Sequence, residues 1–373
     1  MNVKCIYTSV ELPAGTMKEH ILQNFTGATW VSDKISCNEV QNKFGHGCDV
    51  ALEKNFRLIR NILGASGNRS TSMQGCELRS EDGHRYLLKN GDYELIDPIV
   101  GEFEDVDSKT KRVKVCVGSK HKIGWAESLV RKNMPQGFSR VEAAQVSKVE
   151  HDLSSDGFLS TSITYGGVGC LKGILKSCFN LLGATNHEIA MSNRFDPLRR
   201  CLVDEELDDK NTISNFCRSV TDDRYVELQK RGEFDHVLCV YSAGDGIYGY
   251  ARLYGQFDFS MRLCDGFAGN PIQEGYCVDP FGEHGSFERE YNYDISGLPL
   301  FDRQEAVITK ASFSSLTHAF ERFLDASLGR QAIGEVIRRV MERHRNDLYL
   351  NCQQIIEECM KELKQIKETS WTT

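Results

Sequence analysis

Two kinds of hydrophobic periodicity divide this chain into helical and strand-forming stretches. Between Cys48 and Leu63, apolar residues recur near the spacing of an amphipathic helix. The stretch that follows, 64–70, is rich in glycine and polar residues and predicts the end of that helix. We therefore expect one helix over 48–63, with an apolar face formed by Val50, Leu52, Phe56, Ile59 and Leu63.

Alternation of polar and apolar residues predicts strands in two other regions. From about 70 to 130 the alternation runs between turn signals, as expected for strands that bury one face. The pair Asn90-Gly91 suits a tight hairpin turn because both residue types tolerate positive φ angles. A later region, 235–263, predicts a strand pair whose second run, 248–263, is one central strand. Both regions favour antiparallel sheets.

Two further regions have helical patterns. Residues 167–183 are mostly apolar and punctuated by glycine, and they lack the G-K-[ST] of a phosphate loop, so we expect a helix packed closely on a neighbour. From about 311 to 369, apolar residues form three successive helical faces with breaks at Gly329 and Asn346-Asp347. This tail is typical of helices that pack on the main domain or on a partner.

Composition places the chain among ordinary globular proteins. It has 373 residues, 40% of them hydrophobic, which is enough for two or three domains with a substantial core. It shows neither a secretion signal nor an apolar stretch of about eighteen residues, so we expect a cytoplasmic protein with no membrane contact. Its 14 cysteines are scattered through apolar runs, where thiols are usually small buried hydrophobes.

The net charge of −8 argues against a broadly basic surface. Nucleic-acid binders need a cationic footprint that releases phosphate counterions, so any such surface must be local. Three basic runs are candidates: 54–60, 109–114 and 338–345. Each is more typical of one solvated face of an amphipathic element, and the first has the strongest claim because it follows the motif described next.

The strongest chemical motif lies in the first forty-five residues. It consists of two half-motifs with a doublet between them, Cys5-x-x-Thr8, Glu19-His20 and Cys37-x-x-Val40. Two complete C-x-x-C pairs around a carboxylate–histidine doublet would predict a zinc-stapled hairpin beside a hydrolytic metal. Here Thr8 and Val40 stand where the second thiolate of each pair is needed. We therefore expect no structural zinc.

This order and spacing resemble the HNH endonucleases, in the subgroup that runs C-x-x-C, E-H-[IV]-x-P and C-x-x-C-N-x-x-F-G. The resemblance covers roughly the first fifty to sixty residues, and a fainter likeness extends to residue 263. It implies a ββα-metal fold, in which a hairpin and a helix hold a histidine base and one divalent cation against a scissile phosphate. It also implies Mg²⁺ or Mn²⁺ as cofactor and nucleic acid as substrate, DNA rather than RNA.

The resemblance assigns roles residue by residue. His20 falls on the general base, and Glu19 falls on the acidic metal ligand that precedes it. Gln41 and Asn42 fall where the family has Asn or His after its last cysteine, so Gln41 is the expected second metal ligand and Asn42 joins the catalytic set. Such groups suit phosphodiester hydrolysis, which needs a base to deprotonate water and a cation to stabilise charge on the phosphorane.

The chain departs from the family pattern at two points. Gln23 stands where the family has a proline, and the polar residue that orients the histidine is matched only by Ser32 or Asp33. A lone Glu-His doublet is commonly a structural pair, so the assignment depends on the flanking pattern. A second acidic–histidine doublet, Glu283-His284, lies in a segment with glycine and proline that is more typical of a solvated loop.

Together these patterns predict an α+β protein in three parts: an HNH-like ββα finger over 1–65, a mixed domain with an antiparallel sheet over 66–310, and a helical region over 311–373. The leading hypothesis is metal-dependent cleavage of nucleic acid, in microbial restriction or anti-phage defence as the resemblance implies. The alternative is a catalytically silent, HNH-derived nucleic-acid-binding or assembly subunit. A protein partner or a second copy is expected at the C-terminal helices.

Overall fold

The computed structural model describes residues 3–65, 74–109, 111–139, 159–161, 166–204, 207, 209–219 and 232–281, followed by short stretches between 287 and 362. These residues form helices and antiparallel strands, which confirms the predicted α+β class. The helices are α1 (Asn38–His46), α2 (Cys48–Leu63), α3 (Ile123–Asn133), α4 (Val168–Thr185), α5 (His187–Ala190), α6 (Asp196–Val203) and α7 (Lys210–Ser214). The strands are β1 (Glu19–His20), β2 (Val31–Ser32), β3 (Cys76–Arg79), β4 (Arg85–Lys89), β5 (Asp92–Leu95), β6 (Ile99–Asp105), β7 (Lys111–Cys116), β8 (Cys217–Ser219), β9 (His236–Ala243), β10 (Gly246–Leu253), β11 (Phe257–Cys264), β12 (Gln273–Val278) and β13 (Phe287–Glu288).

The N-terminal part consists of a short strand pair followed by two helices. Strands β1 and β2 pair antiparallel, with Glu19 opposite Ser32. Helix α1 begins after Cys37, and α2 has the predicted bounds of 48–63. The expectation that Val50 lies on the apolar face of α2 is wrong, because its side chain is 38% exposed and the buried face is centred on Leu52 and Phe56. The HNH-like character of this part stays a prediction.

The middle region begins with two small antiparallel sheets. Strands β3, β4 and β5 form one of them, and β6 and β7 form the other. The turn between β4 and β5 is the predicted one: Asn90 and Gly91 both have positive φ angles, of 54° and 84°. Such angles match the right-handed twist of the flanking strands, and this is why Asn-Gly is favoured there.

A six-stranded sheet forms the largest layer, in the order β13-β12-β9-β10-β11-β8. The expectation of one central strand over 248–263 is wrong, because the run divides into β10 and β11 at a tight turn. Tyr254 and Gly255 have positive φ angles there, of 50° and 63°. A Cβ atom at position 255 would lie 2.0 Å from the carbonyl oxygen of Glu233, so only glycine fits.

Helix α4 packs between α2 and one face of the six-stranded sheet. It approaches α2 closely because it carries glycine at the crossing point: a Cβ atom at Gly173 would lie 3.0 Å from the Leu52 Cβ. This confirms the expected close packing of an apolar helix. Ile6, Phe56, Phe179 and Phe259 belong to one continuous core cluster, so the N-terminal part, 1–65, and the six-stranded sheet share a core.

The described residues near the C-terminus are helical, in stretches between 321 and 343 and between 358 and 362. Phe323 is fully buried and packs on Phe234 and Phe257 at the edge of the main core. Most of the predicted tail, and the Glu283-His284 doublet, lie outside the described residues. No helix among the described residues is long and apolar enough to span a membrane.

Candidate functional site

The candidate site lies where β1 meets helix α4. Glu19 is 7% exposed, and its carboxylate lies 2.7 Å from the Nζ atom of Lys176. The ammonium also donates to both carboxylate oxygens of Asp49, at 2.8 Å and 2.7 Å. Lys176 is itself 1% exposed and lies 4.9 Å from the centre of the Phe44 ring. One buried ammonium therefore holds two carboxylates.

Burial and charge act against each other in this cluster. Burial raises the pKa of the Glu19 carboxyl, an effect that Lys176 only partly offsets. Burial alone would lower the pKa of Lys176, but the carboxylates of Asp49 and Glu19 outweigh burial and raise it. Lys176 is therefore held as a cation, and it is the positive charge nearest to both acids in the cluster.

Helix α4 presents one polar stripe to the finger, formed by Gly173, Lys176, Ser177 and Asn180 at helical spacing. The Gln23 side chain lies against this stripe. Its amide nitrogen donates to the Asp49 carboxylate and to the Gly173 carbonyl, both at 3.0 Å, and its oxygen accepts from the Ser177 hydroxyl at 3.0 Å. Gln23 is thus a full member of the buried network.

Asn180 extends the network to the first turn of the chain. Its side-chain oxygen accepts from the Tyr7 hydroxyl at 2.5 Å, and its amide nitrogen donates to the backbone carbonyl of His20 at 2.9 Å. Burial raises the pKa of Tyr7 well above its ordinary value, so its hydroxyl stays protonated as a donor. Asn180 therefore fixes the backbone of β1 at the doublet.

The doublet itself is divided between two sides of the strand. Successive side chains of a strand point to opposite faces, and accordingly Glu19 is buried while His20 is half-buried. On helix α1, the Gln41 amide nitrogen donates to the carbonyl oxygens of Met17 at 2.6 Å and Ser36 at 3.2 Å. Asn42, the next residue, is exposed. Glu19 therefore lies beside Lys176, which also binds Asp49. The Gln41 side chain is hydrogen-bonded to backbone carbonyls.

A divalent cation does not fit this arrangement of donors. The two carboxylates are oriented by an ammonium, and a cation placed between them would meet its positive charge. Among the residues that the structure describes, no three His, Cys, Asp or Glu side chains form a group that could hold a metal ion. The roles of His20 and Asn42 in catalysis and of Glu19 and Gln41 in metal binding stay predictions.

The two half-motifs Cys5-x-x-Thr8 and Cys37-x-x-Val40 lie together in space. The Thr8 hydroxyl oxygen is 3.9 Å from the Cys37 sulfur, and the Ile6 amide donates to the Ile35 carbonyl at 2.8 Å. Cys5 and Val40 are both buried. Cys5 and Cys37 carry free thiols. The turn at 5–8 therefore sits beside the segment that leads into α1.

The sequence patterns did not identify Lys176 and Asn180 as partners of the finger. The available signal was the presence of Lys172 and Lys176 inside an otherwise apolar helix, because lysine is almost never fully buried unless it is paired. Nothing in the local pattern specifies which carboxylates a buried lysine contacts.

Acidic side chains accompany each of the three basic runs. In the first run, Arg57 pairs with Glu53 at 2.5 Å, and Arg60 is buried with its Nε donating to the Ala65 carbonyl. In the second, Lys111 pairs with Asp105 at 2.6 Å.

In the same run, Arg112 stands opposite Glu104 in the β6–β7 register. In the third run, Arg343 pairs with Glu358 and Glu362. Each of the three basic runs thus has at least one cation that is paired with an acidic side chain of the described part of the chain.

No family model matches this chain, and neither a curated protein nor a solved structure is significantly similar to it.

Proposed function

We propose that this chain is a catalytically silent, HNH-derived subunit that acts by assembly with other protein rather than by cleaving nucleic acid. The observation that carries this proposal is the position of the Lys176 ammonium, which lies within 2.8 Å of oxygens of both Glu19 and Asp49. In the HNH resemblance Glu19 is a metal ligand. Here Glu19 already has a cationic partner in the chain itself, Lys176, which it shares with Asp49.

The energetics favour a permanent role for this lysine. Removing one partner of a buried ion pair typically costs about 3–5 kcal/mol, because the remaining charge is left in a poorly solvated site. A metal ion that displaced Lys176 would have to offset that cost as well as its own dehydration.

Ion pairs within the three basic runs favour assembly with protein over binding to nucleic acid. A cation that is already paired with a carboxylate releases fewer phosphate counterions on binding DNA, so its contribution to affinity is small. The pairs Arg57–Glu53, Lys111–Asp105 and Arg343–Glu362 remove charge from all three basic runs. The net charge of −8 acts in the same direction.

A cleavage assay tests whether the chain is catalytically silent. Purified wild-type protein, His20→Ala and a matched control, His46→Ala, are incubated with plasmid DNA and with RNA in Mg²⁺ or Mn²⁺. His46 is a suitable control because it is an exposed histidine at the end of α1. We expect no metal-dependent cleavage that differs between the three proteins. Fluorescence anisotropy with duplex DNA at low and moderate salt should also show no salt-sensitive binding.

A metal-dependent nuclease is the second candidate, favoured by the succession of β1, β2 and α1 and by the contact between Thr8 and Cys37. In this alternative His20 is the general base, Glu19 and Gln41 bind Mg²⁺ or Mn²⁺, and Asn42 assists. Removal of a general base lowers the rate about 10²–10⁴-fold. Cleavage lost to that extent in His20→Ala and retained in His46→Ala would replace the first proposal with this one.

A further inference from the structure

The contact between Lys176 and Asp49 brings an amine to a carboxyl group at reactive distance. The Lys176 Nζ atom lies 2.8 Å and 2.7 Å from the two carboxylate oxygens of Asp49. A nitrogen that contacts both oxygens of a carboxylate also lies close to the carbon between them, at roughly the 3–3.5 Å that bond formation needs. The two residues are 127 positions apart in the chain, on α4 and α2. A bond between them would join two helices of the shared core.

Neighbouring side chains supply the other groups that amide formation requires. The Glu19 carboxylate lies 2.7 Å from the same Nζ atom, within reach for proton transfer. The Gln23 amide nitrogen donates to Asp49 Oδ1 at 3.0 Å, and this hydrogen bond polarises the carboxyl group. The side chain of Asp49 is 25% exposed, whereas that of Lys176 is only 1% exposed. Bulk water is therefore kept away from the amine, while a water molecule released at Asp49 has a route to solvent.

Burial favours a neutral amide over the charged pair at this position. Two charges in a buried site carry a desolvation cost, which their attraction must offset. Amide formation removes one positive and one negative charge from the cluster. Lys176 is held as a cation by its two carboxylates, so its neutral, nucleophilic form is the minor one. The reaction is therefore slow, but each chain needs to complete it only once.

We propose that Lys176 and Asp49 become joined by an intramolecular isopeptide bond, with Glu19 as the proton carrier. The ion pair in the structure is the state before this reaction. Glu19 takes a proton from the ammonium and passes it to one Asp49 oxygen. The neutral amine attacks the carbon of the resulting carboxylic acid, so that an Nζ–Cγ bond forms. A second proton moves from the nitrogen to the same oxygen, the Cγ–O bond breaks and water leaves. An ammonium and a carboxylate thus become one amide and one water molecule, without an oxidant or any other reactant.

The test measures the intact mass of the full-length chain, denatured after prolonged incubation of the folded protein. We expect wild-type protein to weigh less than its sequence by one water molecule. A tryptic digest should contain residues 44–54 and 173–194 joined in one branched peptide, because a linked Lys176 is no longer a cleavage site. Asp49→Ala should keep its full sequence mass. The matched control is Lys172→Met, one turn earlier on α4, which should lose one water molecule as wild type does.

Glu19→Gln tests the proton carrier, and we expect it to slow the loss of water about 10²–10⁴-fold. Thermal melts establish that each variant is folded before its mass is interpreted, and the wild-type mass decides the proposal by itself if a variant does not fold. Wild-type protein at its full sequence mass would overturn the proposal, and so would a missing water molecule that maps to other residues. A folded Glu19→Gln chain that links as fast as wild type would also overturn it. The bond does not depend on the assembly role, so the mass measurement and the cleavage assay fail independently.

Discussion

The hydroxyl oxygen of Thr8 lies 3.9 Å from the sulfur of Cys37, although 29 positions separate the two residues in the chain. In a complete zinc knuckle these two positions would both supply thiolates to one tetrahedral ion. Here a hydroxyl and a thiol make the contact. The hydrogen bond from the Ile6 amide to the Ile35 carbonyl helps to hold the two segments in this register.

This contact predicts that zinc binding can be created by two substitutions. The double variant Thr8→Cys/Val40→Cys supplies four thiols at positions 5, 8, 37 and 40, and we expect about one zinc ion per chain by elemental analysis. Wild-type protein should carry no stoichiometric zinc. Thr8→Ser/Val40→Ala is the matched control.

Two results would contradict this prediction. A folded double variant without zinc would show that the two turns are not arranged as a knuckle. Wild-type protein with one zinc per chain that is lost on Cys37→Ser would show that other residues complete the site.

Lys176 should be critical for stability. Lys176→Met keeps most of the side-chain volume but leaves Glu19 and Asp49 without their common cation, and Lys176 is only 1% exposed. We expect a loss of about 3–5 kcal/mol in the free energy of unfolding, measured with urea. Adding Glu19→Gln and Asp49→Asn to this variant should restore much of the loss, because the uncompensated charges are removed.

The control for this experiment is Lys172→Met, one turn earlier on α4. The Lys172 ammonium donates to the Asp204 carbonyl at 3.4 Å. Substitution of Lys172 leaves Lys176 in place between Glu19 and Asp49. We therefore expect a smaller loss in the free energy of unfolding than for Lys176→Met. Equal losses of unfolding free energy in the two variants would indicate that repacking of α4, and not the unpaired carboxylates, destabilises the protein.

Stability should fall as the pH falls below the ordinary pKa of histidine, because of His236. This side chain is fully buried, its Nδ1 accepts from the Tyr254 amide at 3.2 Å, and burial lowers its pKa to about 3. Between pH 6.5 and 3 the unfolded chain binds a proton that the folded chain does not bind, so protons favour unfolding. The contribution should be about 1.4 kcal/mol per pH unit.

Urea unfolding between pH 7.5 and 5 measures this dependence. Carboxylates contribute in the same range, so wild type is compared with His236→Phe, which keeps a ring beside Tyr254 but cannot titrate. The variant should be less stable at pH 7.5, where it lacks the hydrogen bond to Tyr254, and its stability should fall less steeply as pH decreases. Identical slopes would contradict the assignment to His236.

The finger should not fold alone. In the full chain, Phe56 and Tyr7 pack into the shared core, and Tyr7 contacts Phe179 of α4 with ring centroids 5.4 Å apart. Each such side chain contributes about 1.5–3 kcal/mol when buried. A fragment of residues 1–67 loses these contacts and the cation between Glu19 and Asp49.

We therefore expect poorly dispersed amide resonances and no cooperative melt for the fragment, while the full chain keeps its finger ordered in EDTA. A cooperatively folding fragment would contradict the dependence on α4. Unfolding of the N-terminal region of the full chain by EDTA would instead indicate a structural metal.

The sequence by itself determined those features that depend on neighbouring residues. The period of apolar residues fixed the bounds of α2, and the Asn90-Gly91 pair fixed the hairpin between β4 and β5, because helix periodicity and turn φ angles are local properties. The division of 248–263 was missed for a related reason. Its turn begins at Tyr254, a residue type that rarely adopts a positive φ angle, and Gly255 alone is a weak turn signal inside an alternating run.

Only the tertiary structure decided the state of the Glu19-His20 doublet. The lysine that holds Glu19 is 157 positions away in the chain, on a helix whose apolar pattern indicates burial but names no partner. Whether a carboxylate meets a metal ion or an ammonium depends on which side chains the core brings together. These contacts are set by long-range packing, because a buried carboxylate is stable only when an opposite charge is in direct contact with it.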